Sequence, residues 1–230
     1  ICYSGVADIF RLPKFSLSFF RTQIAEGSML PSGKMPYEVF IPAYRDEILS
    51  DTVMVYGNVD EVELVLNGKT IRRQTADKGP DSDYIPVPNG GNGKNLHFPP
   101  FTFYGVPKER GVLKAVGYHQ GKKVAEYTVK TPGVPERLDI TYFESGKPAT
   151  KNDLLIVYVR MLDKQGVLCP VNGIPVELSV QGGEIVGPTS YPLEAGVASF
   201  LVRTGEISKI NINATGKGFS TRKSLKVGKE

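Results

Sequence analysis

Tryptophan is absent from this chain of 230 residues, and histidine and cysteine occur only twice each. The missing indole removes the side chain best suited to stacking on sugars, although 11 Tyr and 11 Phe could substitute. His97 and His119 stand far from any GxSxG elbow or HExxH pair, so neither has a partner that would make it a general base or a metal ligand. Cys2 and Cys169 form no CxxC and have no histidine cluster beside them, which argues against zinc. A long-range Cys2–Cys169 bridge and two free or buried thiols both remain open, the second being the simpler reading.

No apolar run approaches the roughly 20 residues of a membrane span. A balance of 28 basic against 24 acidic residues leaves a net charge of only +4, scattered rather than striped, which does not point to nucleic acid. With 40% hydrophobic and 23% charged residues the composition is that of globular material, which can bury a core and argues against wholesale disorder. The sequence opens on Ile1 with no targeting signal before it, so it reads as a piece of a longer protein, any leader lying outside it.

What is present is mostly strand, and its length allows two modest domains. The first stretch departs from that pattern. DIFRLPKFSLSFFRTQ (residues 8–23) reads as a helix with Pro13 in its first turn, an apolar stripe at Phe15, Phe19 and Phe20, and Gly27 as its stop. EGSMLPSGKMP (residues 26–36) reads as a linker. From Tyr37 the period changes to two. EVFIPAY is an edge strand interrupted by Pro42, and Val53 and Val55 face opposite to Met54 and Tyr56. In DEVELVLNGKTIRR, Val62, Leu64 and Leu66 alternate with polar positions, and Asn67-Gly68 offers the two positive-φ residues of a type I′ hairpin, with Glu61 and Glu63 expected opposite Lys69. Gln120-Gly121 turns a second hairpin, residues 113–118 onto 124–129. TPGVPERLDI marks a boundary, beyond which six strand-like runs at turn-punctuated intervals form a second sandwich of about 100 residues. The expected fold is therefore all-β: two immunoglobulin-like β-sandwich domains preceded by a short N-terminal helix. The segments are 1–35 (helix and linker), 36–131 (first sandwich) and 132–230 (second sandwich).

Other features raise possibilities that their surroundings weaken. PNGGNGKN (residues 88–95) resembles a phosphate cradle, but Asn95 follows Lys94 where Ser or Thr is needed, and LHFPPF follows instead of a helix. Asp77, Asp81 and Asp83 could offer oxygens to calcium without EF-hand spacing, so a solvated loop is the plainer reading. Asn213-Ala214-Thr215 is a glycosylation sequon inside an expected strand. Tyr84, Phe101, Phe103 and Tyr104 could form a stacking platform, although FTFYG alternates as a buried strand does. The remaining carboxylates read as solvated strand ends rather than as the pair a glycosidase needs.

Taken together, three stretches resemble the C-terminal region of glycoside hydrolase family 2 enzymes of the bacterial β-galactosidase type. SGVADIFRLPKFSLSFFRTQ (residues 4–23) is similar to the loop and last helix that close that family's (β/α)₈ barrel. VMVYGNVDEVELVLNGKTI (residues 53–71), HFPPFTF and residues 111–138 are similar to the sandwich that follows it, and residues 153–187 resemble a bacterial Ig-like domain. The resemblance implies a parent enzyme that hydrolyses β-glycosidic bonds with retention, using glutamates on barrel strands that have no counterpart here. No catalytic, cofactor-binding or metal-binding residue is therefore assigned to this chain, and no cofactor is expected. The expected partner is the parent's own barrel, the expected location periplasmic or extracellular. The alternatives are a carbohydrate-binding module that tethers the enzyme to polysaccharide, or a cell-surface Ig-like adhesin.

Overall fold

A computed structural model of the chain describes residues 5–43, 50–77, 96–143, 148–206 and 208–228. It divides into two compact units. The first comprises residues 1–8 and 12–131, the second residues 9–11 and 132–230.

In the first unit, helix α1 (Phe15–Arg21) and a small ribbon, β1 (Met29–Leu30) with β2 (Gly33–Lys34), precede the sandwich. One layer is β3 (Val39–Phe40), β4 (Val53–Gly57) and β7 (Phe101–Phe103), in the order β3-β4-β7. The other is β5 (Glu61–Leu66), β6 (Lys69–Thr75), β8 (Val112–His119) and β9 (Lys122–Lys130), in the order β6-β5-β8-β9. All pairings within these layers are antiparallel. Strict alternation on β4 and β5 sends Val53, Val55, Val62, Leu64 and Leu66 inward, where they meet Phe101, Phe103, Leu113 and Ala115. Asn67 (φ 51°) and Gly68 (φ 80°) make the expected hairpin turn, and Gln120 (φ 48°) with Gly121 (φ 77°) makes the second. Strand β3 stands at a sheet edge and stops ahead of Pro42, which has no N–H to pair.

The second unit has sheets β10 (Arg137–Tyr142), β11 (Leu154–Leu162), β15 (Val197–Thr204), β13 (Gly183–Ile185), and β14 (Ser190–Pro192), β12 (Pro175–Gln181), β16 (Lys209–Gly216), β17 (Phe219–Lys226), each in the order given. Val157, Val159, Met161, Val176, Phe200, Val202, Ile210 and Ile212 fill the space between them. The chain is thus all-β with immunoglobulin-like sandwiches, as the alternation implies.

Three local expectations need correction. The helix covers seven residues, not the sixteen of DIFRLPKFSLSFFRTQ. Residues 6–14 instead close a tight loop: Asp8 N–H donates to Leu12 O (3.0 Å), Leu12 N–H to Asp8 Oδ1 (2.8 Å) and Lys14 N–H to Val6 O (2.9 Å). Arg11 adopts φ 62°, which no helix accommodates, and Pro13 forms a bridge with Ala7 rather than a first helical turn. Gly27 does not end the helix, which stops at Arg21; its N–H donates to Met35 O (2.8 Å) at the base of the β1–β2 ribbon inside the expected linker. Glu61 and Glu63 lie opposite Thr75 and Arg73, because Lys69 pairs with Leu66 beside the turn.

Candidate functional site

The residues that carry chemistry are mostly engaged in holding strands together. On the outer face of β6-β5-β8-β9, Glu61 accepts from Arg73 Nη2 (2.5 Å), while Glu63 accepts from Thr70 Oγ1 (2.6 Å) and the Tyr118 hydroxyl (2.7 Å). Arg73 also lies 3.7 Å over the Tyr118 ring. The hydrogen bonds from Thr70 and then Tyr118 hold the Glu63 carboxyl below its ordinary range, and the same bond raises the Tyr118 phenol. A carboxylate so occupied is a cross-strand fastener, not a poised acid or base. His119 stacks on Tyr37 (5.0 Å between rings), and its Nδ1 sits 3.1 Å from Asp60, which also accepts from Gln120 N–H (2.8 Å). The backbone donor at Gln120 is the largest influence that lowers the Asp60 carboxyl. His97 meets Phe98 edge-on at 4.5 Å.

Asp77 accepts from Thr102 N–H (3.2 Å) and Oγ1 (2.6 Å), whereas Asp81, Asp83, Tyr84 and residues 88–95 lie outside the described residues. Among the described residues no group of three or more His, Cys, Asp and Glu could hold a metal ion. No helix of the described residues is long and apolar enough to cross a membrane. Phe101 and Phe103 are buried in the core, so they cannot form an exposed platform, and of that set only Tyr104 is exposed among the described residues. Cys169 is a buried free thiol raised by its burial; Cys2 lies outside the described residues. Near it, Asp163 is 3% exposed. Its carboxylate accepts from the backbone N–H groups of Gly133 (2.7 Å), Gln165 and Val167 (both 2.8 Å). A shallow depression between residues 133–136 and 163–165 is therefore organised around a carboxylate whose oxygens are already satisfied.

One arrangement in the first unit is different in kind, because it fixes a segment with unspent apolar surface. Asn58, 3% exposed, donates from Nδ2 to Ile24 O and Pro36 O (both 3.0 Å) and accepts at Oδ1 from Glu38 N–H (2.6 Å). Glu38 in turn grips Arg21 at the end of α1, with Nε at 3.1 Å from both carboxylate oxygens and Nη2 also bonded. This hydrogen bond to Glu38 raises the Arg21 guanidinium further above its ordinary value. Gln23 closes a two-way bond with the backbone of Phe98 (3.0 and 3.1 Å). The helix thereby lies with Phe15 against Phe40 (5.6 Å) and Phe19 against Tyr56 (4.9 Å), both edge-to-face. Phe20, packed on Phe19, remains 55% exposed, and Met29 on the ribbon is more exposed still. The Phe spacing in the sequence pointed to an apolar stripe; nothing in it pointed to Asn58, whose role depends on two carbonyls at positions 24 and 36.

Comparison with known proteins places this architecture. Residues 50–125 match a family model described as a domain of unknown function (DUF4982). A β-galactosidase of Thermoanaerobacter pseudethanolicus is 32% identical over 216 residues, 89% of this chain and 27% of that protein. A β-galactosidase of Rhizobium radiobacter is 30% identical over 129 residues, 55% of this chain and 92% of that sequence. Among solved structures, a β-glucuronidase from glycoside hydrolase family 2 superposes with a TM-score of 0.77 at 22% identity, over 98% of this chain and 23% of its own, which establishes likeness of fold. The chain spans between 19% and 27% of the length of the first three curated relatives. The fold and the sequence identity together assign the chain to glycoside hydrolase family 2, as a C-terminal region of the bacterial β-galactosidase type.

Proposed function

We propose that this region is a non-catalytic accessory part of a β-galactosidase-like glycoside hydrolase, supporting the catalytic barrel and shaping the approach to its active site. The observation that carries this reading is the clamped helix. Arg21, Gln23 and Asn58 fix α1 and its following ribbon rigidly to the first sandwich, and Phe20 and Met29 keep an apolar surface outward. Surface of that kind, held in place rather than left to collapse, suits a permanent neighbour within one protein. The barrel would supply both carboxylates of a retaining mechanism, about 5–5.5 Å apart, at the C-terminal ends of its strands. The accessory region would add positioning and no proton transfer. On the family resemblance the enzyme works in the periplasm or outside the cell, which fractionation of producing cells tests.

Two measurements test the central reading. The 230-residue chain alone is expected to leave an aryl β-galactoside intact, and to bind a separately produced family 2 barrel in solution. Phe20→Asp should weaken that binding, since it places a charge on the apolar seam. Turnover by the chain alone, or a Phe20→Asp chain that binds the barrel as tightly as the native one, overturns the proposal.

A further inference from the structure

The second unit carries a surface that the accessory reading does not use. From Ser208 to Gly228 the chain holds five cations, Lys209, Lys217, Arg222, Lys223 and Lys226, and no acid. Strands β16 and β17 arrange them. Lys209 is directly opposite Lys226, and Arg222 is opposite Asn213. None of the five enters an ion pair among the described residues, and only Lys223 finds another partner, the Tyr142 ring at 5.7 Å. Like charges directly across a ladder oppose folding, so an uncompensated Lys–Lys pair needs a reason.

The rest of this face is built from neutral hydrogen-bonding groups. Ile210, Ile212 and Ala214 point into the core, which turns Asn211, Asn213 and Thr215 outward on the interior strand β16. Ser224, Arg222 and Ser220 stand beside them on β17, and Gln181, Ser179 and Glu177 on β12. Glu177, at one end, is the single carboxylate on this face among the described residues. Successive outward positions are about 7 Å apart along a strand, and neighbouring strands about 4.8 Å apart, so the face is a regular grid of amides and hydroxyls edged by cations.

We infer that this face binds an acidic polysaccharide, a polymer of hydroxyls carrying carboxylates at intervals. Amide and hydroxyl rows match the hydroxyls, and Lys209, Arg222 and Lys226 match the carboxylates. A single-stranded nucleic acid would call for exposed aromatic rings between the cations, and this grid has none among its described residues. Protection of a sheet edge against aggregation would place lysines on edge strands alone. Lys209 lies on interior strand β16, and the opposite edge, β14, has none. The site is distinct from the aromatic set around Phe101, and the inference does not depend on which barrel the region accompanies.

Affinity electrophoresis of the 230-residue chain through gels containing polygalacturonate tests it, with the methyl-esterified polymer as the uncharged counterpart. Retardation is expected in the first gel and not in the second. Changing Lys209→Gln, Arg222→Gln and Lys226→Gln together should weaken retention about tenfold without moving the thermal unfolding midpoint. Lys69→Gln, Lys122→Gln and Lys130→Gln remove the same charge from exposed positions of the first unit and should leave retention unchanged. The inference fails if neither polymer retards the chain, if both do so equally, or if the two triple variants weaken alike. Equal or stronger binding to duplex DNA or to anionic lipid vesicles overturns it in favour of a general polyanion surface.

Discussion

At the scale of single residues, the polar groups that matter are those whose partners are backbone. Asp163 is the clearest case. Burial pushes its carboxyl up, and the N–H groups of Gly133, Val167, Gln165 and Gly166 together outweigh that and hold it below its ordinary value. A carboxyl depressed in the folded state contributes stability above its unfolded pKa, about 3.9, and loses that contribution as pH falls through the folded value. The second unit should therefore resist urea less at pH 3 than at pH 6. Asp163→Asn, which turns an amide NH₂ toward backbone donors, should be less stable at pH 6 and show a shallower fall on acidification. A variant with the native pH slope would show that Asp163 is not the responsible group. None of this was legible from LDKQG beyond its being a turn. The acceptor geometry depends on Gly133, thirty residues earlier in the chain.

At the scale of elements, the sequence was most informative where one local rule sufficed. Alternation on Val62, Leu64 and Leu66 and the Asn67-Gly68 turn specify the β5–β6 hairpin without outside help. Asn67 has a second task that its neighbours do not announce: Nδ2 donates to Arg110 O (3.1 Å) and Oδ1 accepts from Val112 N–H (2.9 Å), tying the turn to β8. Two glycines nearby separate these tasks. A Cβ on Gly68 meets nothing within 4 Å, so Gly68→Ala should cost only the left-handed backbone, about 1 kcal/mol. Gly111 (φ 135°) carries the same kind of backbone cost, but a Cβ there would also stand 1.9 Å from Asn67 Oδ1 and displace that side chain from both bonds, so Gly111→Ala should cost about 2–3 kcal/mol. Chemical denaturation of the two variants measures the difference, and equal losses would refute the tie. The helix was over-extended for the converse reason. Apolar spacing at Phe15, Phe19 and Phe20 continues a periodic pattern, while the Asp8–Leu12 loop and the left-handed Arg11 that interrupt it are set by side-chain bonds and the Ala7–Pro13 bridge. Strands β13 and β14, three residues each, are too short for any period to register.

At the scale of the molecule, each unit owns its core. Every buried residue of the second cluster lies between Leu138 and Val227. Residues 132–228 expressed alone should consequently unfold in one cooperative transition. They would lack the bond from the Tyr158 hydroxyl to Phe10 O (2.6 Å) and the Arg11 guanidinium 5.2 Å from the Phe143 ring, together worth about 1–2 kcal/mol. Circular dichroism across a urea series tests this, and a gradual or absent transition would mean that the unit needs residues outside that span. Family membership was legible in the central hairpin and in its order after a helix and before an Ig-like run. The basic grid was not, because cations scattered in sequence become neighbours only through the β16–β17 register.

The clamp around Asn58 has a consequence for anyone recombining members of this family. The stretch of residues 26–36, rich in Gly, Pro and Ser, looks like the natural place to cut and rejoin. Yet Ile24, just ahead of it, and Pro36, its last residue, are fastened to one amide, and Arg21 is fastened to Glu38. A graft made within that stretch would separate the two halves of a single lock, leaving donors and carbonyls stranded in both parents. The transferable cassette begins ahead of Lys14, and a chimera joined there inherits the helix, the ribbon and the sandwich as one inseparable part.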